Sequence, residues 1–181
     1  MKIYLILALL LVVMSVLEAK RAPLNTVENV DLDRYLGRWF QLAYFPNSFQ
    51  PKGAAVTTAE YSLDPKGNII VHNTSWADPD MKGVYKEITG KAFRVKGSTA
   101  KLRVQFFWPF RGDYWIISLD QKDYSYAVVS EPKQKYLWIL TREQSMDSAI
   151  YIEILRDLKN RGFDLSKLVI TGKIVKNNPK R

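Results

Sequence analysis

AVTTAEYSLDPKGNIIVHNTSW, residues 55–76, decides the fold class. Its two ends, Ala55 to Leu63 and Ile69 to Trp76, alternate apolar and polar side chains. That period of two belongs to a strand with one face on a core and the other in water. Between them, Asp64-Pro65-Lys66-Gly67-Asn68 is a hairpin turn, because proline presets φ and glycine accepts positive φ.

The same pattern repeats on both sides of this hairpin. Upstream, Trp39 to Phe45 alternates and ends at the loop signal Pro46-Asn47-Ser48. Downstream, Asp78-Pro79-Asp80 is read as a turn rather than a cation site, and it leads to Val84 to Val95. Gly97-Ser98 separates that run from Lys101 to Phe107, and Arg111-Gly112 opens Tyr114 to Leu119. Tyr126 to Ser130 and Tyr136 to Thr141 follow, divided by Glu131-Pro132. Eight strands in simple succession predict an all-β protein, either a sandwich or an up-and-down antiparallel barrel.

The period then changes. From Ser145 to Arg161, Ile150, Ile154, Leu155 and Leu158 recur at helical spacing, with Ser145 in the N-cap and Gly162 in the C-cap position. A single amphipathic α-helix after the strands is expected to pack outside a barrel. Leu168-Val169-Ile170 is a candidate for a short final strand.

The length of 181 residues suits one domain with its own core, and the 13% aromatic content favours pleated surfaces. There is no cysteine, which excludes disulfides, a thiolate nucleophile, cysteine zinc sites and a lipid-modified cysteine. With one histidine, His72, a histidine-based metal site or triad is hard to build. No cofactor is implied. The net charge of +9 is spread among acids, except in residues 173–181, a basic tail with Lys173, Lys176, Lys180 and Arg181.

At the N-terminus, Lys2 precedes the apolar stretch Ile3 to Val13, which continues through Leu17 before Glu18, Lys20 and Arg21. This reads as a secretory signal over residues 1–19 ending at Ala19. The stretch is shorter than the roughly 20 residues of a bilayer span. Leu17 is larger than the cleavage rule prefers, which leaves an uncleaved anchor as the alternative. Export without cysteine suits the bacterial periplasm or cell envelope, and not as a lipoprotein.

Asp33-Arg34-Tyr35-Leu36-Gly37-Arg38-Trp39-Phe40 resembles the Gly-x-Trp signature that opens a lipocalin barrel. Tyr114-Trp115-Ile116-Ile117-Ser118-Leu119-Asp120 resembles the second lipocalin block, and Tyr136-Leu137-Trp138-Ile139-Leu140-Thr141-Arg142 the third. Asp164-Leu165-Ser166-Lys167 is similar to the bacterial outer-membrane lipocalins and their apolipoprotein D relatives. The resemblance covers residues 25 to 172, taken as the domain. It implies an eight-stranded antiparallel up-and-down β-barrel with one helix outside. It also implies structural roles for three residues: Gly37 allows close backbone approach, Trp39 plugs the closed end, and Arg142 lies over it.

With Trp39 inward, alternation turns Gln41, Ala43 and Phe45 inward too, and leaves Phe40 and Leu42 to the helix. By the same logic Ala59, Tyr61, Val71, Asn73, Leu102, Val104, Phe106, Tyr114, Ile116, Ser118 and Trp138 face the interior, and His72 faces water. Of these, Ala43, Phe45, Ala59, Tyr61, Val71, Asn73, Val104, Phe106, Tyr114, Ile116 and Trp138 are the candidate ligand-binding residues. Eight-stranded barrels either fill with side chains or hold one small ligand. The apolar lining suits a fatty acid, a lysophospholipid or a similar hydrophobic partner, carried without chemistry in the cell envelope.

Two other functions are weighed. A lipocalin-fold enzyme would need a tyrosine acid such as Tyr61 or Tyr114, in the absence of histidine clusters and acid pairs. A nucleic-acid barrel would need a basic groove with stacking aromatics, which the export signal argues against. Phe107-Trp108-Pro109-Phe110 reads equally as a rim that touches membrane or partner and as packing under a loop. Both a monomer and a homodimer fit the sequence.

Overall fold

The computed structural model describes residues 23–48 and 50–176. The expected signal over residues 1–19 and most of the basic tail lie outside the described residues. A short helix α1 (Leu32–Tyr35) leads into β1 (Gly37–Tyr44), followed by β2 (Val56–Leu63), β3 (Ile69–Trp76), β4 (Val84–Arg94) and β5 (Lys101–Phe107). Next come β6 (Phe110–Leu119), β7 (Tyr126–Ser130), β8 (Leu137–Thr141), β9 (Ser145–Asp147) and the main helix α2 (Ser148–Asn160). A 3₁₀ turn (Leu165–Lys167), β10 (Val169–Ile170) and β11 (Lys173–Val175) complete the order.

Strands β1 to β8 pair antiparallel with their sequence neighbours, and β1 also pairs with β8, which closes the barrel. Closure pairs each of β1 to β8 with a neighbour on both sides along part of its length. Where β2 stops covering β1, after Phe40, β10 takes over beside Ala43 and Tyr44. The expected hairpin at 64–68 is held by the Asp64 carboxylate, which accepts the backbone N–H groups of Lys66 and Asn68, each at 2.9 Å.

Several boundaries differ from the sequence reading, each for a local reason. Strand β6 begins at Phe110 rather than Tyr114, because Phe107 and Phe110 pair and close a tight hairpin over Trp108-Pro109. Helix α2 does not start after Ser145. Residues Ser145–Asp147 pair in parallel with Lys173–Val175, and this extends the ordered chain past residue 172. The N-cap is therefore Asp147, whose side chain accepts from the Ala149 N–H at 2.7 Å. At the other end, Gly162 N–H bonds to Lys159 O and Phe163 N–H to Leu158 O. These two bonds make a Schellman ending, with Phe163 and Leu158 buried in one cluster.

Two hydrophobic layers result. The inner one lines the barrel around Trp39, Tyr61, Val71, Leu102, Ile116 and Val129. The outer one packs Tyr151, Ile154 and Leu158 of α2 against Leu42, Ile117, Val128 and Ile139 on the barrel wall.

Candidate ligand-binding site

The closed end is built around Trp39, which is fully buried. Its indole N–H donates to Tyr35 O at 2.8 Å. The Arg142 guanidinium lies 3.7 Å from the Trp39 ring centroid and donates to Arg38 O at 2.8 Å and Arg34 O at 2.6 Å. Gly37 adopts φ +87°, the left-handed region that favours glycine, and a Cβ there would stand 3.5 Å from the Arg142 guanidinium. Turn, arginine and tryptophan thus fix one another.

Above this plug, three tyrosines from three elements meet. Tyr35 comes from α1, Tyr61 from β2 and Tyr114 from β6. The Tyr61 hydroxyl donates to that of Tyr114 at 2.8 Å, and the Tyr35 and Tyr114 hydroxyls lie 2.7 Å apart. Burial pushes the Tyr61 phenol up to about 12. Burial likewise raises Tyr35 and Tyr114 well above the ordinary tyrosine range. All three are neutral hydrogen-bonding groups at physiological pH.

Most of the residues expected to face the interior do so. Tyr61, Val71, Leu102 and Ile116 are in the inner cluster, with Ala59, Val104, Phe106, Tyr114 and Trp138 packed against it. Asn73 stands opposite Ala59 and Ile88 on the same face. Its carboxamide oxygen is buried without a hydrogen-bond partner. His72 faces outward, where its Nδ1 lies 2.8 Å from the Thr89 hydroxyl.

Three expectations about facing are corrected. Ala43 and Phe45 belong to the outer cluster under α2, not to the interior. Between Gln41 and Ala43, β1 advances two residues while β8 advances one, from Leu140 to Ile139. This β-bulge puts Leu42 and Ala43 on the same side and reverses the parity beyond it. Tyr44 then takes the inward place, opposite Trp138. Ser118 is displaced by a second bulge, between Ile116 and Ser118, which sets it opposite the outward Val128.

Four contributors were not anticipated. Tyr35 lies on a helical turn, outside any strand pattern. Gln50, from the β1–β2 loop, hydrogen-bonds Gln41 and accepts from the Trp138 indole at 3.3 Å, across the mouth of the barrel. Ile88 and Lys86 stand on the inner face of β4, opposite Asn73 and Ser75. The alternation of Ile88, Gly90 and Ala92 with Glu87, Thr89 and Lys91 carried the signal for that face.

The mouth rim carries an apolar tip with a basic residue beside it. Phe107, Trp108 and Phe110 are 69%, 86% and 77% exposed at the tip of the β5–β6 hairpin, followed by exposed Arg111. Val84 and Tyr85, also exposed, start β4 at the same end. At the opposite end a pocket of about 950 Å³ lies between residues 26–30 and the β4–β5 turn, lined by Arg94, Lys96 and Lys101 among others. Among the described residues, no three His, Cys, Asp or Glu side chains gather as a metal cage.

A closed eight-stranded barrel with an apolar interior, a plugged end and an outer helix defines a lipocalin-type protein. The lipocalin-like domain family matches residues 30–173, and the chain belongs to that family. Outer membrane lipoprotein Blc of Vibrio cholerae is 40% identical over 144 residues, 79% of this chain and 82% of that protein. Temperature-induced lipocalin-1 of Arabidopsis thaliana is 35% identical over 158 residues, 82% of each chain. Among solved structures, insecticyanin from the tobacco hornworm Manduca sexta is similar with a TM-score of 0.65 at 20% identity. The match covers 88% of this chain and 95% of insecticyanin, a likeness of fold alone.

Proposed function

We propose that the protein is a non-enzymatic carrier that holds one small hydrophobic ligand, a fatty acid or lysophospholipid in class, inside the barrel at the cell envelope. The observation that carries this reading is the apolar inner face running from the Trp39 plug to Trp138 at the mouth. Each methylene buried there contributes about 0.8 kcal/mol, so an acyl chain supplies its own driving force. On the inner face of β4, counted upward from Ala92, the first cation is Lys86 near the mouth. An anionic head group is therefore best served at the mouth, with the chain pointing down.

The rim suits contact with a membrane. Trp108 and its two phenylalanine neighbours present an apolar patch beside basic side chains, at the end where a lipid would pass. Location in the envelope is supported by the signal-like N-terminus and by the outer-membrane name of the Vibrio relative. The absence of cysteine argues against retention by a lipid-modified cysteine.

An enzyme using Tyr61 or Tyr114 as general acid is disfavoured by the same burial that raises their pKa, because a phenol held that far above neutrality gives up its proton poorly. The test is titration of the purified chain with an unsaturated long-chain fatty acid and a lysophospholipid, followed by tryptophan emission and recovery of the ligand. Saturable one-to-one binding with the ligand recovered unchanged is expected. No saturable binding, or conversion of the ligand, would overturn the proposal.

A further inference from the structure

The three tyrosine hydroxyls above Trp39 carry three protons but make two hydrogen bonds among themselves. Whichever way the Tyr35–Tyr114 bond points, one proton is left without an acceptor in the trio. If Tyr35 donates, the spare proton is on Tyr114; if Tyr114 donates, it is on Tyr35. Close by on the inner face, Asn73 shows the opposite deficit, a buried carboxamide oxygen with no donor. Asn73 is two residues along β3 from Val71, and Val71 stands opposite Tyr61. The trio and the orphan acceptor therefore face the same lumen, with Tyr61 of the trio and Asn73 at neighbouring inward positions of the β2–β3 pair.

Unpaired polar groups at such depth are costly, and a built-in pair of them points to a ligand group that completes both. A carboxylate accepts but cannot donate, and its charge would be desolvated among uncharged side chains. Of the cations at that end, Arg142 is stacked on Trp39 with its Nη atoms already donating to Arg38 O and Arg34 O, and Arg94, opposite Leu102, is solvent-exposed. A hydroxyl both accepts and donates, and it carries no charge.

We propose that the barrel floor is a receptor for a neutral hydroxyl, with Tyr35, Tyr61 and Tyr114 supplying the donor and Asn73 the acceptor. The preferred ligand then has two polar ends, an anionic or zwitterionic head at the mouth and a hydroxyl on the buried part of its chain. The inference rests on the carrier reading and adds to it the chemistry of the deep end. Residues of the floor become specificity determinants, while affinity for the bare chain comes from the apolar walls.

The test compares hexadecanoate with ω-hydroxyhexadecanoate on the full chain by calorimetric titration. A hydroxyl buried without partners lowers affinity about ten- to hundred-fold. Here the hydroxy acid is expected to bind at least as tightly as hexadecanoate. Tyr114→Phe should lower the affinity for the hydroxy acid relative to that for hexadecanoate about ten-fold, whatever it does to both in common. Asn73→Leu is the second variant, with an effect of opposite sign for the two ligands: weaker for the hydroxy acid, tighter for hexadecanoate. If the wild type disfavours the hydroxy acid, or both variants shift the two ligands alike, the floor is only a structural or water-filled network and the inference is overturned. Failure to bind either ligand would instead overturn the carrier reading on which it stands.

Discussion

The guanidinium of Arg142 sits 3.7 Å from the ring centroid of Trp39, the end of β8 sealing the start of β1 across the closure of the barrel. Its Nη atoms reach the carbonyls of Arg38 and Arg34, so one side chain ties the plug, the strand and α1 together. Arg142→Ala removes charged hydrogen bonds and the stacking contact at once, and should cost about 2–4 kcal/mol. Arg142→Lys keeps the charge but loses the planar fork, and should recover less than half of that. Urea denaturation measures both. A loss under about 0.5 kcal/mol for the alanine variant would show that the plug is held by other contacts.

Alkaline pH should weaken the fold through the tyrosine trio. Tyr61 rises from 10.0 to about 12 on folding, and Tyr35 and Tyr114 rise as well, mainly by burial. Below pH 10 these groups are protonated in both states and contribute no slope. Above it the unfolded chain releases their protons while the folded barrel retains them, so stability falls as pH rises. The slope approaches about 1.4 kcal/mol per pH unit for each buried tyrosine. Denaturation curves between pH 9 and 11.5 should show this fall, and a shallower one in Tyr61→Phe. An unchanged slope in that variant would mean that Tyr61 does not titrate as a buried group.

Helix α2 provides a test that separates two neighbouring serine and aspartate signals. Asp147→Ala should destabilise by about 1 kcal/mol through loss of the bond to the Ala149 N–H, while Asp147→Asn keeps most of it. Ser145→Ala should have no capping effect, because Ser145 is in the β9–β11 ribbon. Thermal unfolding of the three variants would contradict the assignment if Ser145→Ala proved the costlier.

The rim makes a prediction independent of the interior. Replacing Phe107, Trp108 and Phe110 by serine should lower co-sedimentation with vesicles containing phosphatidylglycerol at least five-fold, since these side chains are largely exposed and carry the apolar patch. Fatty-acid affinity without vesicles should not change. Equal sedimentation of the variant would remove the rim from membrane binding.

Strands, hairpins and the outer helix were legible because alternation and turn chemistry are local signals, as in residues 55–76. The bulges were not. Around Leu42 and Ile117 both parities are apolar, so the sequence pattern holds nothing that marks the extra residue. Ala43, Phe45 and Ser118 were turned inward for that reason, although each lies beside the outer helix layer. Tyr35 escaped because a residue on a helical turn enters the lumen by tertiary placement, which no strand period encodes. The start of α2 depended on pairing with residues 173–175, far along the chain.

The central claim is that the interior, and not the outer layer under α2, holds the ligand. Methyl-resolved NMR during titration with a long-chain fatty acid tests it directly, because the two layers carry separate probes. The account predicts saturable shifts at Val71, Ile88, Val104 and Ile116, with Ile117, Val128 and Ile139 nearly still. Shifts confined to the second set, or absent from both, would contradict it.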